Sequence, residues 1–151
     1  MNEYVDSDLP TGQDILGKIR KLETANSDTL LEIKDWTFDK AEALSYLFQK
    51  FIVAFDFKED PEVFQNRLLK YHNIVSGLIG LSSGMYDRAH KLEADNLRIN
   101  QDPAVKKAMT ATDKELHIKG VTAHFRALKI SLEELEKNIE QRLFSTRVNR
   151  R

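Results

Sequence analysis

The side chains with the most chemistry to offer are cations gathered late in the chain. Arg142, Arg147, Arg150 and Arg151 fall within the last ten residues of a 151-residue sequence whose net charge is -1. Lys106 and Lys107 form an earlier pair, and Arg126 lies between the two groups. Such groups neutralise phosphates, and the affinity they supply grows with the number engaged. A cation near a helix C-terminus also complements the macrodipole. That structural role covers Arg142 but fades for Arg147, Arg150 and Arg151, which are expected past the last full turn. Nucleic acid is therefore the expected ligand of these seven residues. Phe144 is the one aromatic near the tail that could stack on a base, since Phe125 reads as core.

Other chemistry finds little support. The histidines are His72, His90, His117 and His124. Asp87, His90 and Glu93 share a helix face, but a cation would need matching carboxylates from a second helix, and an ordinary polar face is the preferred reading. There is no Glu-x-x-His pair of the kind that builds carboxylate-bridged metal sites in bundles. The stretch GLIGLSSG, residues 77–84, matches neither the dinucleotide fingerprint nor the P-loop, and it lies inside a helical period. No cysteine is present, which excludes disulfides, thiolate zinc sites and a cysteine nucleophile. No catalytic residue, metal, cofactor or small-molecule substrate is expected, and the chain is read as non-enzymatic.

The elements that must carry these residues are helices. Pro10, Pro61 and Pro103 each stand where a helix should begin, and Asp60 and Asp102 precede the last two. An aspartate cap followed by proline satisfies one orphan N–H and removes another. Ile15, Ile19 and Leu22 predict a short amphipathic helix from Thr11 to about Asn26, ended by the polar TANSD. The following TLLEIKDW reads equally as an extended segment or a helix lead-in. Ala41, Leu44, Phe48, Phe51 and Phe55 then form a helical stripe.

From Pro61 an apolar seam runs Phe64, Leu68, Tyr71, Val75, Leu78, Ser82, Met85, Ala89, Leu92, Asn96, Ile99, in alternating steps of four and three. A second seam runs Ile118, Val121, Phe125, Leu128, Leu132, Leu135, Ile139, after a capping-box start at Thr112. Two such helices, about 61–100 and 112–146, predict a long antiparallel hairpin. The connector NQDPAVKKAMTA between them reads as a short extra helix. The fold class is all-α. Residues 1–10 form an acidic N-terminal tail and 11–151 a single helical domain, with 11–57 as the N-terminal helices, 61–146 as the hairpin and 147–151 as a basic tail. Ile74, Leu81 and Ile130 lie off the seams and call for further partners, so either a three- to four-helix bundle or a homo-oligomer is expected.

Charge is graded along the chain. Residues 1–60 hold 7 Lys/Arg against 13 Asp/Glu, 61–102 hold 5 against 5, and 103–151 hold 11 against 6. That gradient suits head-to-tail self-association or an anionic partner for the C-terminal third. The first residues lack an apolar leader core and no stretch is long enough to span a bilayer, so a soluble, cytoplasmic protein with no membrane partner is expected.

The last two helices resemble the recombination mediator proteins of T4-like phages. The resemblance is carried by TDKELHIKGVTAHF and SLEELEKNIEQRLF, with Asp113, Lys114, Ile139 and Arg142 in the matching places, and by the Lys70-Tyr71 pair that opens LLKYHNIVSGLIGLSSGMYDRAHKLE. It implies an oligomeric helical protein of the host cell cytoplasm that binds single-stranded DNA and works with recombination proteins by loading the recombinase. Where that family has a basic, tyrosine-rich helix end, this chain has KLEADNLRINQDP, so the C-terminal arginines carry the expectation of DNA contact. The alternative is a structural or adaptor protein of a phage particle or multiprotein assembly, its tail paired with acidic protein surface.

Overall fold

The computed structural model describes residues 3–54, 60–100 and 111–149, with side chains described at all of these except 98–100, 111, 112, 114, 121 and 146–149. The fold is all-α, with no strand among the described residues. After a 3-10 turn at Asp6–Asp8 come α1 (Gly12–Leu22), α2 (Ser27–Ala54), α3 (Pro61–Asn100), α4 (Ala111–Val121) and α5 (Ala123–Asn149).

The starts follow local hydrogen-bond chemistry. Thr11 and Asp14 cap α1 reciprocally: Asp14 N–H donates to Thr11 Oγ1 at 3.1 Å, and Thr11 N–H donates to the Asp14 carboxylate at 3.0 Å. Those bonds hold the Asp14 carboxyl below its usual range. Asn26 caps α2 through Thr29 N–H at 2.8 Å. Asp60 caps α3 through Val63 N–H at 3.2 Å, with Pro61 at the first helical position as its sequence predicts. The polar TANSD is thus the cap of α2 rather than a long break, and α1 stops earlier than Asn26. TLLEIKDW is helical, because Leu30, Ile33 and Thr37 bury one face at helical spacing.

α3, about 60 Å long at 1.5 Å per residue, is the central staff. α5 packs along it, while α1 and α2 cover other faces. Two pairings show α3 and α5 running antiparallel, His72 with Glu140 and Ser76 with Glu136, and further along α3 Glu93 meets His117 of α4. α2 also runs against α3, with Phe51 stacked on Phe64 at 5.2 Å and Phe48 edge-on to Tyr71 at 6.3 Å. α1 runs parallel to α3, its Ile15 against Gly77 and its Leu22 against Gly84. The Arg88 side chain then donates to the Ala25 carbonyl at 3.0 Å and fixes the turn into α2.

The α3 seam is buried from Phe64 through Ala89, and Leu68, Val75, Leu78, Leu128, Leu132 and Ile139 are fully enclosed. Ile74 and Leu81 are buried in the same core as Ile15 and Leu22, so α1 supplies part of the cover that the two hairpin seams lack, and Ile130 stays exposed. The second hairpin arm is not one helix. It starts at Ala111 and breaks at Thr122, whose buried hydroxyl donates to the Ile118 carbonyl at 2.7 Å. Gly120 and two β-branched residues lower helix propensity there, and the hydroxyl competes for a helix acceptor. The connector bearing Lys106 and Lys107 lies outside the described residues.

The acidic N-terminal stretch is docked. Tyr4 packs edge-on against Tyr46 and its hydroxyl reaches Glu42 at 3.1 Å, Leu9 and Pro10 are buried, and Lys40 donates to the Asp8 carbonyl at 2.8 Å. Asp6 pairs with Arg67 at 2.9 Å and holds that guanidinium still more firmly protonated. No described helix is long and apolar enough to cross a membrane.

Candidate functional site

Of the seven cations that the sequence nominates, Lys106, Lys107, Arg150 and Arg151 lie outside the described residues. Arg147 stands in the last turns of α5, with its side chain also outside them. Arg126 and Arg142 are both exposed on α5. They are sixteen residues apart, which on an α-helix is about 24 Å along the axis and about 160° around it. The fold therefore does not bring them together. Arg142 turns toward α2 and lines a groove with Phe48, Gln49, Ile52, Val53 and Asn138.

A different set shares a flank. Lys137 and Phe144 follow Arg126 by eleven and eighteen residues, about three and five full turns of an α-helix. Arg126 and Lys137 are exposed, and the Phe144 ring is 70% exposed. Ile130, 47% exposed, lies between the two cations. Glu133, half-buried, and Glu140, exposed beside Lys137 and Phe144, sit on the same flank and temper its charge.

The structure also assembles a polar cluster that helical spacing alone does not announce. His72 and Ser76 each follow a seam residue of α3, and Glu136 and Glu140 each follow one of α5. Antiparallel packing places these flanking positions opposite one another. His72 Nε2 lies 3.1 Å from Glu140 Oε1, and the Ser76 hydroxyl donates to Glu136 Oε2 at 3.1 Å. Donor atoms of His72, Glu136 and Glu140 all lie within 4.8 Å of one another. Leu69, Leu143 and Phe144 line a shallow groove beside His72 and Glu140.

By contrast Asp87, His90 and Glu93 do not converge on a cation site. Glu93 is taken by His117, whose Nε2 stands 3.0 Å from Glu93 Oε1, and His90 lies beside the Tyr86 ring at 6.3 Å. His124, next to the Thr122 break, packs on Phe125 with ring centroids 4.2 Å apart. Partial burial and then the positive Lys34 hold its imidazole below the usual histidine range. No family model, curated protein or solved structure matches this chain.

Proposed function

We propose that this chain is a non-enzymatic, oligomeric helical protein that binds single-stranded DNA, in a role like that of the recombination mediators it resembles. The reading rests on one observation above the rest: an aromatic ring stands open to solvent on the same flank of α5 as two exposed cations. Bases stack on such rings whatever their identity, while Lys and Arg follow the phosphates. In this reading Arg147, Arg150 and Arg151 add charge beyond Phe144. An oligomer repeats the stripe, so weak single-subunit contacts sum to useful avidity.

The test is fluorescence anisotropy of a labelled oligonucleotide across a salt series. The expected logarithm of affinity falls linearly with the logarithm of salt concentration. Phe144→Ala and the triple change of Arg147, Arg150 and Arg151 to Ala should each weaken binding. Affinity indifferent to both variants would remove this face from the mechanism.

A second reading, an adaptor protein without a nucleic-acid role, is favoured by Val53. It is 87% exposed and borders the groove that Arg142 lines at the end of α2. Intact oligomers in light scattering with no oligonucleotide binding would select it.

A further inference from the structure

We propose that His72, Glu136 and Glu140 bind a divalent transition-metal ion that clamps α3 to α5. The set joins one imidazole from α3 to two carboxylates one turn apart on α5, so any ion it holds bridges the two arms of the hairpin. Metal–nitrogen and metal–oxygen bonds of about 2.0–2.2 Å set ligand atoms about 3.4 Å apart on a tetrahedral ion. His72 Nε2 and Glu140 Oε1 already stand 3.1 Å apart, and the third donor lies within 4.8 Å. The broad terminal torsion of a glutamate closes such a gap at little cost.

Electrostatics points the same way. Like charges at i,i+4 on a helix repel, and Glu136 and Glu140 have that spacing. Among the described residues neither forms an ion pair with a lysine or arginine; Glu136 accepts from the neutral Ser76 hydroxyl and Glu140 meets the His72 ring. Two carboxylates thus converge on an imidazole with no permanent cation among the described residues within ion-pair distance, and a divalent ion supplies the missing charge. Ser76 fixes the orientation of Glu136, as an outer-shell partner does for a metal ligand. The adjoining groove leaves room for water to complete the coordination. A mixed nitrogen–oxygen set without thiolate suits zinc, cobalt, iron(II) or manganese, whereas calcium prefers oxygen alone.

The His117–Glu93 pair is a built-in control, because it has the same imidazole–carboxylate contact at 3.0 Å and, among the described residues, no third donor. The experiment treats the full chain with chelator, then titrates Zn2+ by calorimetry and Co2+ by visible absorption. Expected are one ion per chain, a thermal midpoint that rises with Zn2+, and a d–d spectrum with Co2+. His72→Gln and Glu136→Gln should each weaken affinity by at least about tenfold, while His117→Gln leaves it unchanged. Circular dichroism checks the helices of each variant, and the near-isosteric Glu136→Gln carries the test if His72→Gln perturbs the fold. No saturable binding below about 1 mM Zn2+, or binding equally strong in His72→Gln and Glu136→Gln, overturns the proposal.

Discussion

The Cδ1 atom of Ile15 lies 2.9 Å from the point a β-carbon on Gly77 would occupy. Two turns further along both helices, Leu22 Cδ1 stands 2.8 Å from the same point on Gly84. The two glycines are therefore the floor on which α1 rests. At Gly80 nothing lies within 4 Å, so that residue has no packing role to set against its poor helix propensity.

Gly80→Ala should raise stability by about 1 kcal/mol, the propensity difference inside a helix. Gly77→Ala should gain less, because the flexible end of Ile15 must move aside. Gly77→Leu should cost about 1–3 kcal/mol through overpacking and loosen α1. Urea denaturation of the three variants gives the ranking, and hydrogen exchange across Gly12–Leu22 reports whether α1 lifts. Equal effects at positions 77 and 80 would contradict the docking of α1.

The helical seams were legible because burial on a helix repeats with its period, and eight consecutive positions from Phe64 to Ala89 behave as that period requires. Past Ala89 the strict heptad reading fails: Asn96 is exposed and Leu97 is buried. A helix with 3.6 residues per turn drifts about 20° per heptad away from a 3.5-residue seam, and the next inward position is the eighth residue on. The partner of Ile74 and Leu81 was not legible, since three glycines in one stretch predict a bend or a close approach equally well. Nor was the His72–Glu136–Glu140 cluster, because its convergence depends on the register between two helices, and His72 stands more than sixty residues from either glutamate in sequence. Spacing within one helix says nothing about that register.

The hairpin core makes the next prediction. Leu78 and Leu132 are fully enclosed. Leu132→Ala should cost about 2–5 kcal/mol, the sum of lost transfer energy and the cavity left behind. Exposed Ile130, two positions away, should tolerate alanine with a change within about 0.5 kcal/mol. Thermal and urea denaturation of the pair measures the contrast. Similar costs at both positions would mean that Ile130 is covered in solution, as self-association along α5 would require.

Ser82 is the polar interruption in the α3 seam, completely buried between Leu78 and Met85, and its hydroxyl has no hydrogen-bond partner among the described residues. A buried hydroxyl without a partner costs more than it returns. Ser82→Ala is expected to stabilise the fold by about 1 kcal/mol, read as a higher urea midpoint with an unchanged slope. Destabilisation by this change would show that the hydroxyl is satisfied in solution.

His124 sets a pH dependence whose sign can be worked out. Partial desolvation, and then the charge of Lys34, hold its folded-state pKa below the ordinary value of 6.5. The unfolded chain therefore binds a proton on this residue more readily than the folded chain does. Its contribution is fully present above pH 6.5 and is lost as pH falls from there through the folded-state value. The chain holds three other histidines, so the wild-type curve alone does not isolate it. The informative quantity is the stability difference between wild type and His124→Gln, measured by urea denaturation at pH 7.5, 6.5 and 5.5. It should shift in favour of the variant as the solution becomes more acidic. A difference that stays constant, or that moves toward the wild type in acid, would mean that the His124 ring is as well solvated in the folded protein as in the unfolded chain.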